Sequence, residues 1–295
     1  MNEHERLMGE AARASLVLFV GGLGSGKSTL ARATCALALR LGRRAAYLDA
    51  DVAQKTVGPP ATVGLKAIAD PDDLTFDRMA DADALGFVGS TSPQDHLLPL
   101  VGALQRLRDR ARADGADLIV VDTGGEVSGI RAQLVKYYKV DMLEPDLVVG
   151  LQRGEELEPV FGIVERFFGV RTIAAPVHPD VVVPSAEERM EERRAAMARY
   201  FSGELHRFRV RPTAFMPALP PLFDLVTLDR LLVGLSDGSG GFTGLGVLEH
   251  VPEDGGLRLL SPVADPPKAL RLGSVRLEDD YRAKRVDLRN LFGTE

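Results

Sequence analysis

The stretch LVLFVGGLGSGKST, residues 16–29, decides the fold. Leu16 to Val20 is a continuous apolar run, the pattern of a strand buried on both faces of a parallel sheet. Glycines interrupt it, and Ser28 to Leu41 then reads as a helix with Leu30, Ala33, Leu37 and Leu41 on one side, stopped by Gly42. Between them lies G-x-x-x-x-G-K-[ST], with strand and helix on the flanks that the motif requires. Small residues let successive backbone N–H groups close around a phosphate, and the helix N-terminus adds partial positive charge. Gly22, Gly24, Ser25, Gly26, Lys27, Ser28 and Thr29 are therefore assigned to a nucleoside triphosphate. Lys27 should reach the β and γ oxygens and Ser28 should ligate Mg²⁺. The bland alternative, a glycine turn that only caps a helix, leaves the lysine and both flanks unaccounted for.

The alternation continues outward. Strands are expected at Ala45 to Leu48, around Leu85 to Gly89, and at Leu118 to Val121, Asp146 to Leu151 and Thr172 to Pro176. Helices are expected at about Pro93 to Asp114, near Ile130 to Tyr138, and at Glu155 to Phe168. This βαβ rhythm predicts an α/β fold, a P-loop NTPase with a mostly parallel, doubly wound sheet. Pro184 to Tyr200 is strongly charged with no clean apolar stripe, so a helix there should lie outside the core. Beyond about Gly203 come short β-like runs separated by glycine and proline turns. We therefore expect a P-loop kinase domain over residues 1–204 and a small β-rich domain over 205–295.

Composition narrows the function classes. With 45% hydrophobic and 26% charged residues the 295-residue chain is globular, and a net charge of −6 leaves any polyanion site a local matter. Cys35 is the single cysteine, which excludes an internal disulfide or a cysteine-built zinc site. No signal peptide is evident and no apolar run approaches the length of a membrane span, so the expected location is the cytoplasm.

Carboxylates supply the remaining chemistry. LIVVD, residues 118–122, is an apolar strand ending in Asp122, the candidate for the magnesium shell. In YLDADVAQ, residues 47–54, Asp49 and Asp51 stand two apart at a strand end. If the extended conformation persists, both point to one side and suit acceptor activation and metal support. Arg189 and Arg193 share a helix face. They are interleaved with glutamates that make a solvated, ion-paired surface the plain reading, but arginines above a phosphate site can also neutralise charge developing in transfer.

Taken together these stretches resemble the polynucleotide 5′-hydroxyl kinase family, which includes the kinase-like subunit of pre-mRNA cleavage factor and the pre-rRNA-processing kinases. The resemblance rests on GSGKSTL, LDADVAQKTVGPPATVGL at 48–65, FVGSTSP at 87–93, VVDTGGEVSG at 120–129 and the arginine helix ending RYFSG at 199–203. It implies Mg²⁺-assisted transfer of the γ-phosphate of ATP to the 5′-hydroxyl of RNA or DNA. GTP stays open as donor. Asp51 then takes the part of base and metal-shell residue, supported by Asp49, with Gln54 beside it. Thr123, Gly124 and Gly125 form the substrate clasp, and Arg189 and Arg193 the lid.

Three departures stand out. Ala53 replaces a usual glycine, Glu126 stands where eukaryotic members carry a base-stacking tryptophan, and the glycine loop begins at residue 21, as in short forms without an N-terminal β domain. Two rivals remain. One is a nucleotide-dependent interaction protein without catalysis. The other is a regulatory GTPase, suggested by GPP at 58–60 but lacking the guanine-reading N/T-K-x-D motif.

Overall fold

The computed structural model describes residues 3–94, 96–253 and 255–293. In chain order the first elements are α1 (Glu3–Ala11), β1 (Leu16–Gly21), α2 (Lys27–Arg40), β2 (Ala45–Ala50), β3 (Thr62–Ile68), α3 (Phe76–Ala80), β4 (Ala84–Phe87), α4 (Leu97–Ala113) and β5 (Leu118–Thr123). Next come α5 (Ile130–Leu143), β6 (Leu147–Gln152), α6 (Glu158–Phe168), β7 (Arg171–Pro176), α7 (Ala186–Tyr200), β8 (His206–Val210) and β9 (Phe215–Met216). The chain closes with β10 (Leu231–Ser236), β11 (Phe242–Val251), β12 (Gly256–Ser261), β13 (Ala269–Leu277), β14 (Ala283–Arg285) and α8 (Leu288–Phe292).

Strands β2, β5, β1, β6 and β7 lie side by side and parallel. Every residue of β1, β2 and β5 is buried, the apolar runs and also Asp49, Asp122 and Thr123 at the ends of β2 and β5. The two-residue period sorts β1 between two cores. Leu16, Leu18 and Val20 pack with α4, α5 and α6, while Val17 and Phe19 pack with α1 and α2. Cys35 sits in the second core, where burial pushes its thiol far above its ordinary range.

Two parts of the sheet depart from the sequence reading. Thr62–Ile68 is an antiparallel strand beside β2, hidden in the sequence by the Gly58-Pro59-Pro60 bend and the interior Gly64. The β-rich C-terminal part is continuous with the nucleotide-binding sheet, because Phe242 of β11 pairs antiparallel with Leu85 of β4. The seam is packed by Phe87, Met197, Phe201, Leu232 and Leu245. No helix among the described residues is long and apolar enough to cross a membrane.

Candidate active site

The ends of β1, β2 and β5 converge because the parallel register aligns them: Phe19 pairs with Asp122, and Asp122 with Asp49. This places the glycine loop, the Asp51 turn and the Thr123–Glu126 segment at the carboxyl edge of the sheet, where open α/β folds bind ligands.

Gly26 caps α2, and Lys27 and Ser28 open it. Lys27 is 6% exposed, and its Nζ donates to Gly22 O at 2.8 Å and Ser25 Oγ at 3.3 Å, inside the loop that it should serve. Burial pushes this ammonium below its usual range, with Asp122 and Asp51 pulling the other way. Gly24 (φ +57°) lies so close under residues 182–184 that a Cβ there would stand 2.9 Å from Val183 Cα. Arg153 Nη2 grips Gly24 O from outside at 2.9 Å, a contact that the sequence reading did not anticipate. Thr29 is exposed on the following turn.

Asp122 is held by Tyr47, whose hydroxyl donates to Oδ2 at 2.7 Å. Its Oδ1 is buried without a hydrogen-bond partner. An orphaned carboxylate oxygen at this point has the chemistry of a ligand for a hard cation such as Mg²⁺.

Asp49 and Asp51 part company. Strand β2 ends at Ala50, so the extended spacing that put both carboxylates on one side does not persist. Asp49 turns inward and is fully engaged: Oδ1 accepts from Asp51 N, Oδ2 accepts from Thr56 N and Val57 N, and Lys55 Nζ lies 3.1 Å from Oδ2 with both side chains 1% exposed. Burial pushes this carboxyl up to about 6, opposed by Lys55. Asp49 therefore builds the turn and does not line the cavity that Asp51 faces. Lys55 also donates to Asp51 O at 2.8 Å, so one buried ammonium stitches the whole bend. Replacing Lys55 by Met strands a buried carboxylate and should destabilise the fold by roughly 3–5 kcal/mol in urea titrations. A loss below about 1 kcal/mol would mean that the backbone amides suffice.

Asp51 faces the other way, into a cavity of about 300 Å³ that it shares with Gln54, Gly124, Gly125, Arg189 and Arg193. Its Oδ1 accepts from Ala53 N at 2.8 Å and Gln54 N at 3.1 Å, and Oδ2 is the edge beside Gly124. Gly125 packs on the glycine loop so tightly that a Cβ would meet Leu23 N at 2.9 Å. Thr123 does not offer its side chain to the cavity. Its hydroxyl donates to Phe19 O at 2.8 Å and accepts from Lys136 Nζ at 2.8 Å. Glu126 is exposed on the rim and accepts from Gln94 Nε2 at 2.9 Å.

Helix α7 begins with a capping box, in which Ser185 and Glu188 satisfy each other's backbone N–H groups. Arg189 and Arg193, one turn apart, line the cavity, whereas Arg194 faces away and pairs with Glu191. Gln54 docks on the helix, accepting from Arg193 Nη1 at 2.9 Å and donating to Glu192. Met197 and Phe201 bury the far end of α7, which is anchored there in the core, while Gln54 contacts its middle at Glu192 and Arg193. Its charged remainder lies outside the core.

Residues 21–203 match the family model described as the P-loop of the mRNA cleavage and polyadenylation factor CLP1. The chain belongs to this family. Among curated relatives, the CLP1-family chain is 35% identical over 187 residues to a polyribonucleotide 5′-hydroxyl-kinase of Methanocaldococcus jannaschii, covering 63% of this chain and 50% of that protein. It is 27% identical over 319 residues to a protein of the same name from Thermococcus kodakarensis, covering 90% of this chain and 88% of the other. In fold the CLP1-family chain is similar to the solved complex of wild-type Clp1p with Pcf11p, with a TM-score of 0.71 at 16% identity over 92% of this chain and 76% of that one.

Proposed function

We infer that this chain is a polynucleotide 5′-hydroxyl kinase, which moves the γ-phosphate of ATP or GTP to the 5′-hydroxyl of a strand, with RNA the acceptor named for its relatives. The observation that carries this reading is Asp51: its turn is fixed by Asp49 and Lys55 while its own carboxylate lines a cavity walled by Gly124, Gly125 and two lid arginines. A scaffold that only stores nucleotide has no need of a positioned carboxylate in such a cavity.

In the proposed reaction, the glycine loop and Lys27 hold the donor's phosphates. Ser28, Asp122 and Asp51 would hold Mg²⁺, which when bound neutralises charge on phosphate oxygens. The Asp51 carboxylate orients the 5′-hydroxyl and takes its proton as a new bond forms between the 5′-oxygen and the γ-phosphorus. The bond from that phosphorus to the β–γ bridging oxygen breaks, and nucleoside diphosphate leaves. Arg189 and Arg193 face the charge that spreads over the transferring group. Positioning and fixed charge do most of the work, as a loose transition state demands.

The test is direct. Purified protein incubated with Mg²⁺, γ-labelled ATP or GTP, and 5′-hydroxyl RNA or DNA should yield 5′-labelled strand, and chelating the metal should abolish it. Tight nucleotide binding with no transfer to any acceptor would leave the interaction-protein reading in its place.

A further inference from the structure

Helix α5 buries Val135, Val140 and Leu143 against the sheet, yet Lys136 and Lys139 on the same helix are only 3% and 2% exposed. Lysine at such depth ordinarily carries a counter-ion, because an uncompensated buried charge is costly. Here neither ammonium has a carboxylate within 4.0 Å among the described residues. Their hydrogen bonds go to uncharged oxygens. Lys136 Nζ donates to Thr123 Oγ1 at 2.8 Å and Gly124 O at 2.6 Å, and Lys139 Nζ to Ala50 O at 2.8 Å. An ammonium has three donors, so Lys139 keeps two in reserve and Lys136 one.

Both lysines line the same cavity as Asp51, whereas Lys27 and Ser28 do not. The pair thus opens on the cavity that the Asp51 carboxylate faces. Its volume of about 300 Å³, with Ala132 and Val135 as apolar wall, lies in the range of small-molecule sites. A strand entering a chain of net charge −6 needs local cations at the point of chemistry.

We propose that Lys136 and Lys139 seat the phosphate on the 3′-oxygen of the acceptor's first nucleoside, so that the site selects 5′-hydroxyl ends bearing a 3′-phosphate or phosphodiester over free nucleosides. This rests on the kinase reading. Burial holds both ammoniums below their usual range, Lys139 at about 8, with Asp51 and Asp122 beyond ion-pair distance opposing it only in part, and an arriving phosphate offsets the remaining cost. Through the same bonds the lysines link the seat to Ala50, which precedes Asp51, and to Gly124 of the clasp.

The experiment compares adenosine 3′-monophosphate with adenosine, both as acceptors and in equilibrium binding titrations, for wild type, Lys136→Met, Lys139→Met and the two Lys→Arg variants. Wild type should favour the phosphorylated acceptor in kcat/KM. Each Met variant should lower that preference on the order of 10- to 100-fold, the worth of a charge-assisted contact, and each Arg variant should restore part of it. A preference unchanged by both Met variants overturns the proposal, as does a raised KM for ATP with the preference intact. Should the Met variants fail to fold, a wild-type preference near unity overturns it equally. If wild type transfers phosphate to no 5′-hydroxyl, the kinase reading fails, and the binding titrations still decide the seat: equal affinity for the two ligands refutes it.

Discussion

Asp51→Asn should bind nucleotide as wild type does and transfer phosphate roughly 10²- to 10⁴-fold more slowly, the range that a positioned general base contributes. The amide keeps an oxygen for Ala53 N and Gln54 N, which now bond to Oδ1, so the turn survives the change. What is lost is the proton acceptor and the negative charge facing the cavity. Initial rates with saturating ATP and a 5′-hydroxyl oligonucleotide, set beside a nucleotide-binding titration, separate the two effects. A transfer rate within a few-fold of wild type would remove Asp51 from the chemistry. Asp49→Asn is the informative contrast: its carboxylate meets Lys55 and three backbone amides, so its loss should appear first as reduced stability.

The difference between these two aspartates shows where sequence reasoning succeeds and where it stops. The glycine loop was legible because its chemistry is local: the strand, the loop and the first turn of α2 are contiguous, and both flanks announce themselves by hydrophobic period. Asp122 was legible for the same reason, as the end of an unbroken apolar strand. Asp49 and Asp51 were legible as a pair but not as individuals, since their roles depend on where β2 ends, and nothing local marks Ala50 as its last residue. Thr123 looked like part of a clasp, but its hydroxyl is captured by Phe19 O and Lys136, partners distant in the chain.

Tyr47, Lys55, Lys136 and Lys139 were missed outright. The helix was expected only near Ile130 to Tyr138, whereas it runs to Leu143. Only packing of α5 against the sheet turns these lysines inward. The buried Val135 and Val140, each adjacent to one of them, were the available hint that this flank faces the core. Strand β3 was lost behind the proline bend, and with it the reach of the sheet toward β4 and the C-terminal strands.

Arg193→Met should lower kcat by about 10³-fold or more, within the range attributed to arginines that stabilise phosphoryl transfer, with a much smaller change in KM for the nucleotide. Arg193 is half-buried over the cavity and keeps its place through Gln54, while the anchored end of α7 at Met197 fixes where the guanidinium can reach. Removing only its docking partner, as in Gln54→Ala, leaves the charge in place and should cost far less. Arg193→Lys keeps the charge but not the planar fork, and should fall between the two. The adjacent Arg194 supplies the internal comparison: it is bonded to Glu191 and to Asp280 O on the outer side of the helix, so Arg194→Met should leave kcat nearly unchanged. Single-turnover rates for these four variants test the arrangement as a whole. Equal losses at 193 and 194 would mean that α7 acts through its bulk charge and not through a guanidinium aimed at the transferring phosphate.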